Sequence, residues 1–118
     1  MKYIIYYFSA SWCMACKGLL SKLKQIYNES CKLKIPLEVI YISLDSNESN
    51  MMKHFQEKHG RWYAIPFGDI AIQELQLRFG VTHVPFIVVS KNDGTIVSMN
   101  ATREIDDLGV NVLTTWIE

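Results

Sequence analysis

The feature that most constrains this chain is a cysteine pair, Cys13-Met14-Ala15-Cys16, placed just behind an uncharged run, Tyr3-Ile4-Ile5-Tyr6-Tyr7-Phe8. β-Branched and aromatic residues with no charge among them read as a strand buried on both faces. Ser9, Ala10, Ser11 and Trp12 then lead through a short turn into the cysteines. From Met14 to about Glu29 the apolar positions Leu19, Leu20, Leu23, Ile26 and Tyr27 recur at helical spacing, and the lysines at 17, 22 and 24 fall largely outside that stripe. The pair therefore opens a helix at the end of a buried strand. Two sulfurs so placed are close enough to form a small disulfide ring. Cys13, at the helix tip, should be exposed and meets unpaired N–H groups that favour a thiolate; Cys16, one turn in, should be shielded. That division suits a nucleophile followed by a resolving thiol.

Zinc sites also use Cys-x-x-Cys and would need two more ligands, with Cys31, His54, His59 and His83 as candidates. His54 and His59 lie far downstream, and their spacing spreads them around a helix rather than stacking them. The strand-to-helix context favours redox chemistry over a metal and over two inert structural thiols, so no metal site is expected. Cys31 falls about four turns beyond Cys16 at 1.5 Å per residue, too far to bridge to the pair. It reads as an ordinary helix-end thiol.

Pro36 ends the first helix segment, and 37–43 (LEVIYIS) is a second buried strand. Asp45, Ser46, Asn47 and Glu48 supply cap candidates for a helix reaching about His59, with Met51, Met52 and Phe55 inward and Gly60 as its stop. Residues 61–68 form a loop with an aromatic cluster. Asp69 caps a short helix with Ile72, Leu75 and Phe79 inward, stopped by Gly80. Residues 86–89 and 95–98 flank Asn92-Asp93-Gly94, the pattern of a β-hairpin. Thr102 caps a last helix that turns Ile105, Leu108, Val112 and Trp116 inward. The order β-α-β-α-α-β-β-α gives a parallel pair joined by a right-handed crossover, then an antiparallel hairpin. A mixed sheet with helices on both faces follows.

With 118 residues, the chain is one domain, and at 49% hydrophobic it can bury an ordinary core. Twelve basic residues against twelve acidic ones leave no net charge, which argues against nucleic-acid binding by a broad basic face and against a polybasic membrane binder. The longest apolar run is far short of the roughly 20 residues of a membrane span. A signal peptide at Lys2 and the run after it would be cleaved beside or inside the cysteine motif, so the cytoplasm is expected. Three cysteines do not suggest a secreted disulfide framework.

Val84-Pro85 stands immediately before the third strand, where proline is tolerated and where an X-Pro bond can be cis. Together, YYFSASWCMAC (6–16), VIYISLD (39–45), RWYAIPFGD (61–69) and FGVTHVPFIVVSKNDG (79–94) resemble the thioredoxin superfamily, specifically its tryparedoxin and nucleoredoxin branch with the short nucleoredoxin-like proteins. The resemblance implies an α/β thioredoxin-like fold with a central four-stranded mixed sheet, ordered 37–43, 3–8, 86–90, 95–98. It implies a single domain over 1–118 that lacks the usual N-terminal strand extension. It implies a protein-disulfide reductase whose only redox group is the Cys13–Cys16 disulfide, with no cofactor. Pro85 would be cis against the pair, Val84 would offer its backbone to an extended substrate, and Trp12 would flank the cysteines. Trp62, Pro66 and Phe67 match the branch's aromatic loop, although a hydrophobic cluster under the loop explains them more simply.

The partners implied are disulfide-containing proteins and an upstream thiol reductant, with the nucleus an alternative to the cytoplasm. A redox-regulated binding or signalling module with little turnover is the competing reading, and a zinc-binding domain a weaker one. Met14-Ala15 stands where many family members have proline between the cysteines. Asp45 is a candidate acid/base helper, though a helix-capping role is favoured. With no strand to cover it, the edge 37–43 would invite self-association.

Overall fold

The structure is a computed structural model that describes residues 2–117. Its elements in order are β1 (Tyr3–Ser9), α1 (Ala15–Lys32), β2 (Leu37–Ser43), α2 (Glu48–Lys58), β3 (Tyr63–Ala64), α3 (Ile70–Phe79), β4 (Phe86–Lys91), β5 (Ile96–Ser98), α4 (Ala101–Leu108) and α5 (Val112–Trp116). A 3₁₀ turn, Gly109–Asn111, joins the last two helices. No helix among the described residues is long and apolar enough to cross a membrane.

The strands form one five-stranded sheet in the order β3-β2-β1-β4-β5. β1 pairs with β2 in parallel from Tyr3↔Leu37 to Ser9↔Ser43. It pairs with β4 antiparallel from Tyr3↔Lys91 to Phe8↔Phe86. The four strands expected from the sequence stand in the expected order, but a fifth lies outside them. Tyr63 and Ala64 pair in parallel with Ile40 and Tyr41, and Ile65 N–H extends the ladder by donating to the Tyr41 carbonyl at 3.0 Å. The edge of 37–43 is therefore covered over its central part by the chain returning from α2. This corrects the open edge on which self-association through 37–43 was expected.

Successive β1 side chains alternate between the two faces. Tyr3, Ile5 and Tyr7 enter the larger core with Leu19, Leu23 and Ile26 of α1, Met51 of α2, Ile105 of α4, and Val112 and Trp116 of α5. Phe8 enters a smaller core with Ile42, Val88 and the α3 residues Ile72 and Phe79. Burying each of the large side chains contributes roughly 1.5–3 kcal/mol, so the α1 face carries most of the stabilisation.

Two helix ends differ from expectation. The terminal helix is broken rather than continuous, because Gly109 adopts φ 57° and ψ −133°, a conformation foreign to a helix and strained for any residue with a Cβ. The break turns Leu108 outward, while Ile105, Val112 and Trp116 point inward as anticipated. Thr102 lies inside α4 instead of capping it. The Glu104 carboxylate secures this region by accepting from Ser98 Oγ at 2.6 Å and Trp116 Nε1 at 3.0 Å. Asn47 is the cap of α2, accepting from Asn50 N–H at 3.0 Å, and Met52 on that helix is exposed rather than inward.

Candidate active site

β1 delivers the chain to the top of the sheet, and a tight turn passes it into α1. Cys13 N–H donates to the Ala10 carbonyl at 3.1 Å, and Cys16 N–H lies 3.3 Å from the Cys13 carbonyl. Cys13 and Cys16 are joined in a disulfide with Cα atoms 5.4 Å apart. The Cys16 N–H also donates to Cys13 Sγ at 3.2 Å. That bond is the local form of the helix-terminus effect: a backbone donor aimed at the sulfur that would carry negative charge.

Exposure differs from the expected pattern. Cys13 is 6% and Cys16 2% exposed, so both sulfur-bearing residues are sheltered in the oxidised state. The two cysteines pack with Ala10 and Val84. What projects are its neighbours, Trp12 at 65% and Met14 at 74%. The Val84–Pro85 bond is cis, and Val84 packs against the cysteines because β4, which follows it, pairs with β1 up to Phe86↔Phe8.

Asp45 does not take the helix-capping role favoured for it. Asn47 caps α2, and no hydrogen bond among the described residues joins Asp45 to either cysteine. Its carboxylate instead accepts from Ser11 N–H at 3.0 Å, Ser11 Oγ at 2.6 Å and Ser43 Oγ at 2.7 Å, with Tyr41 OH at 3.4 Å. Asp45 thus ties the end of β2 to the turn that carries Cys13. Ser11 is the partner of Asp45 beside the cysteines that sequence reasoning missed.

A thioredoxin-like family model matches residues 1–96. The chain belongs to the thioredoxin-like family. Tryparedoxin of Trypanosoma brucei brucei is 37% identical over 90% of this chain and 74% of its own length. A solved structure of tryparedoxin from Trypanosoma brucei superposes with a TM-score of 0.85 at 29% identity, over 98% of this chain and 79% of that one. Probable nucleoredoxin 3 of Oryza sativa subsp. japonica is 32% identical over 93% of this chain, which spans only 24% of that protein's length. The chemistry open to the pair in this thioredoxin-like chain is reversible exchange between one disulfide and two thiols.

Behind the thioredoxin-like loop lies an aromatic layer in which His54 and His59 meet. Their ring centroids are 4.9 Å apart, a correction to the expectation that their spacing separates them. α2 ends at Lys58, and the extended His59 folds back over its own helix. Gly60 permits this fold, since a Cβ there would stand 2.6 Å from the Trp62 ring. Trp62 Nε1 donates to His59 Nδ1 at 3.1 Å, which places the neutral ring's proton on Nε2. Burial pushes the His59 pKa down to about 3, with His54 and Lys24 adding to the effect. Burial also lowers the His54 pKa and raises that of Tyr41.

No group of three or more His, Cys, Asp or Glu residues able to hold a metal gathers among the described residues, and Cys31 is exposed at the far end of α1. Trp62 is a core residue, buried edge-on against Tyr27 at 5.5 Å, in keeping with the simpler reading of the aromatic loop.

Proposed function

We propose that this chain is a thiol–disulfide oxidoreductase that reduces protein disulfides through Cys13 and Cys16. The carrying observation is the disulfide at the start of α1, with the Cys16 N–H aimed at Cys13 Sγ. In the reduced form that donor favours a Cys13 thiolate. The thiolate attacks one sulfur of a substrate disulfide, forming a mixed disulfide and releasing the other sulfur, which takes a proton. Cys16 then gives up its proton and attacks Cys13 Sγ, releasing the second substrate thiol and restoring the Cys13–Cys16 bond. Two electrons pass to the substrate, and an upstream thiol reductant returns them to the pair.

Val84 presents its backbone to an extended substrate segment in a short β-type pairing next to Pro85. Trp12 is the apolar surface on which that segment rests. Asp45 serves as a positioning residue through Ser11. A reductase of this kind works in a reducing compartment, the cytoplasm or nucleus.

The test is insulin reduction driven by dithiothreitol, combined with trapping in lysate. Wild type should turn over. Cys16→Ser should accumulate mixed disulfides and Cys13→Ser few, and iodoacetamide should label Cys13 of the reduced chain ahead of Cys16 and Cys31. Trapping without turnover would replace the enzyme by a redox-regulated binding module. Labelling of Cys16 first would reverse the assigned order of attack.

A further inference from the structure

The cleft between α1 and α2 is basic, although the chain carries no net charge. Its volume is about 650 Å³, within the range of small-molecule sites and far more than an inorganic anion fills. α1 contributes Lys17, Leu20, Lys24, Gln25 and Asn28. α2 faces them with His54 and Lys58, and Ser11 closes one end. Neither cysteine lines the cleft, and no aspartate or glutamate does so among the described residues. Asp45, the acid beside Ser11, is engaged by Ser11, Ser43 and Tyr41, and Glu57 lies with Lys53 in an adjoining depression. Burial first, and then the charges of Lys58 and Lys17 against the opposing Asp45, lower the His54 pKa. Burial, His54 and Lys24 do the same to His59. All three ammonium groups of the cleft therefore act on the histidine pair. Lys24 Nζ also donates to the Lys58 carbonyl at 3.2 Å, which ties it to the end of α2.

The lining offers ammonium groups and no guanidinium. An arginine fork suits a planar carboxylate, whereas lysines act as point charges that share the oxygens of a phosphate. Lys17 and Lys24 stand two turns apart on α1, roughly 10 Å along the axis, and Lys58 lines the same space from α2. Charges so spread call for a ligand with more than one anionic group. Toward the C-terminal end of α1, Gln25 and Asn28 sit about one turn apart, with amides that both donate and accept. Leu20 supplies an apolar floor between the lysines, whose stems extend it. We propose that this cleft binds a nucleoside diphosphate, with the phosphates among Lys17, Lys24 and Lys58, the sugar over Leu20, and the base at the Gln25 and Asn28 amides. Binding is non-covalent and uses neither cysteine, so the site is separate from the dithiol exchange described above.

The experiment titrates ADP, AMP, adenosine and inorganic pyrophosphate into the oxidised chain without divalent cations, and follows binding heat and backbone amide shifts. At about 20 mM ionic strength ADP should bind roughly tenfold more tightly than adenosine and roughly threefold more tightly than AMP. Pyrophosphate, which lacks the sugar and base, should bind about fivefold more weakly than ADP. The amides that move should lie in 17–28 and 54–58, the two walls of the cleft. At about 0.5 M salt ADP should weaken about fivefold, since exposed charges are then screened. Lys17 and Lys58 are both exposed, and the double variant Lys17→Gln, Lys58→Gln should bind ADP about tenfold more weakly. ADP no tighter than adenosine would overturn the assignment, as would pyrophosphate as tight as ADP. So would binding unmoved by salt, or shifts that leave both walls untouched. These are measured on the wild-type chain and do not depend on how the variant folds.

Discussion

Asp45 and His59 sit on neighbouring sides of Tyr41, and their polar surroundings are built in opposite ways. Asp45 collects Ser11, Ser43 and the Tyr41 hydroxyl around one carboxylate. His59 lies 4.1 Å from the Tyr41 ring, centroid to centroid, and is gripped by aromatic faces on several sides. Its Nδ1 has a partner; among the described residues its Nε2, His54 Nε2, Tyr7 OH and Ser9 Oγ find none. Ser9 Oγ is close enough to Tyr7 to moderate the phenol's burial-raised pKa, yet the two hydroxyls make no hydrogen bond of acceptable geometry. The turn that carries Cys13 is therefore held by directional, charge-assisted bonds. The layer behind it is held by shape, and its polar atoms follow wherever the rings pack.

The largest test of that contrast is Asp45→Ala. It leaves the Ser11 N–H and three hydroxyls without their acceptor and should cost about 2–4 kcal/mol in urea denaturation. Asp45→Asn keeps one acceptor and should recover part of the loss. Turnover should fall alongside, with the bimolecular rate of Cys13 alkylation altered because its turn is loosened. A cost of under about 1 kcal/mol would mean that the turn is secured by other contacts.

On the aromatic side the expected effect is set by pH. The His59 pKa is about 3 in the folded chain against an ordinary 6.5, so between those values the unfolded chain binds more protons. Its contribution is complete above the unfolded pKa and is lost as pH falls toward the folded one. The loss by about pH 5 should be roughly 2 kcal/mol, and His54, shifted in the same direction, adds to it. Denaturation midpoints at pH 7 and pH 5 measure the slope, and His59→Gln should flatten it. A slope that survives the replacement would assign the effect to other groups.

The smallest effect separates two tyrosines on adjacent strands. Tyr7→Phe removes a hydroxyl with no hydrogen-bond partner among the described residues and should change stability by less than about 0.5 kcal/mol, whereas Tyr41→Phe takes a donor from Asp45 and should cost about 1 kcal/mol. Matching costs from calorimetry would erase the distinction between the two layers.

Much of this frame was legible because short-range chemistry announces it. An uncharged run before a Cys-x-x-Cys, a Val-Pro before a strand, and an Asn-Asp-Gly between alternating segments each imply their local geometry. The Asp45–Ser11 bond was not legible: its partners are 34 residues apart and meet only because β1 and β2 are in parallel register. β3 escaped notice because two residues carry no periodicity, and their pairing is decided by where α2 returns the chain. His54 and His59 would stay apart on an uninterrupted helix, and Gly60 offered no sign of the Trp62 ring lying against it. The broken terminal helix turned on a glycine whose position, within an otherwise helical apolar stripe, gave no hint of its ψ. Shelter of Cys13 depended on Val84, supplied by a distant segment.

The placement of β1 has a consequence for the order of assembly. This strand comes first in the sequence and stands at the centre of the sheet, between β2 and the much later β4. Its pairing with β2 closes over one helix, but its other side stays open until the chain reaches 86–91. Such long-range closure slows folding. Until it happens, an uncharged hydrogen-bonding edge remains available to any passing strand. On a ribosome, the central seam of this sheet is among the last to be sewn.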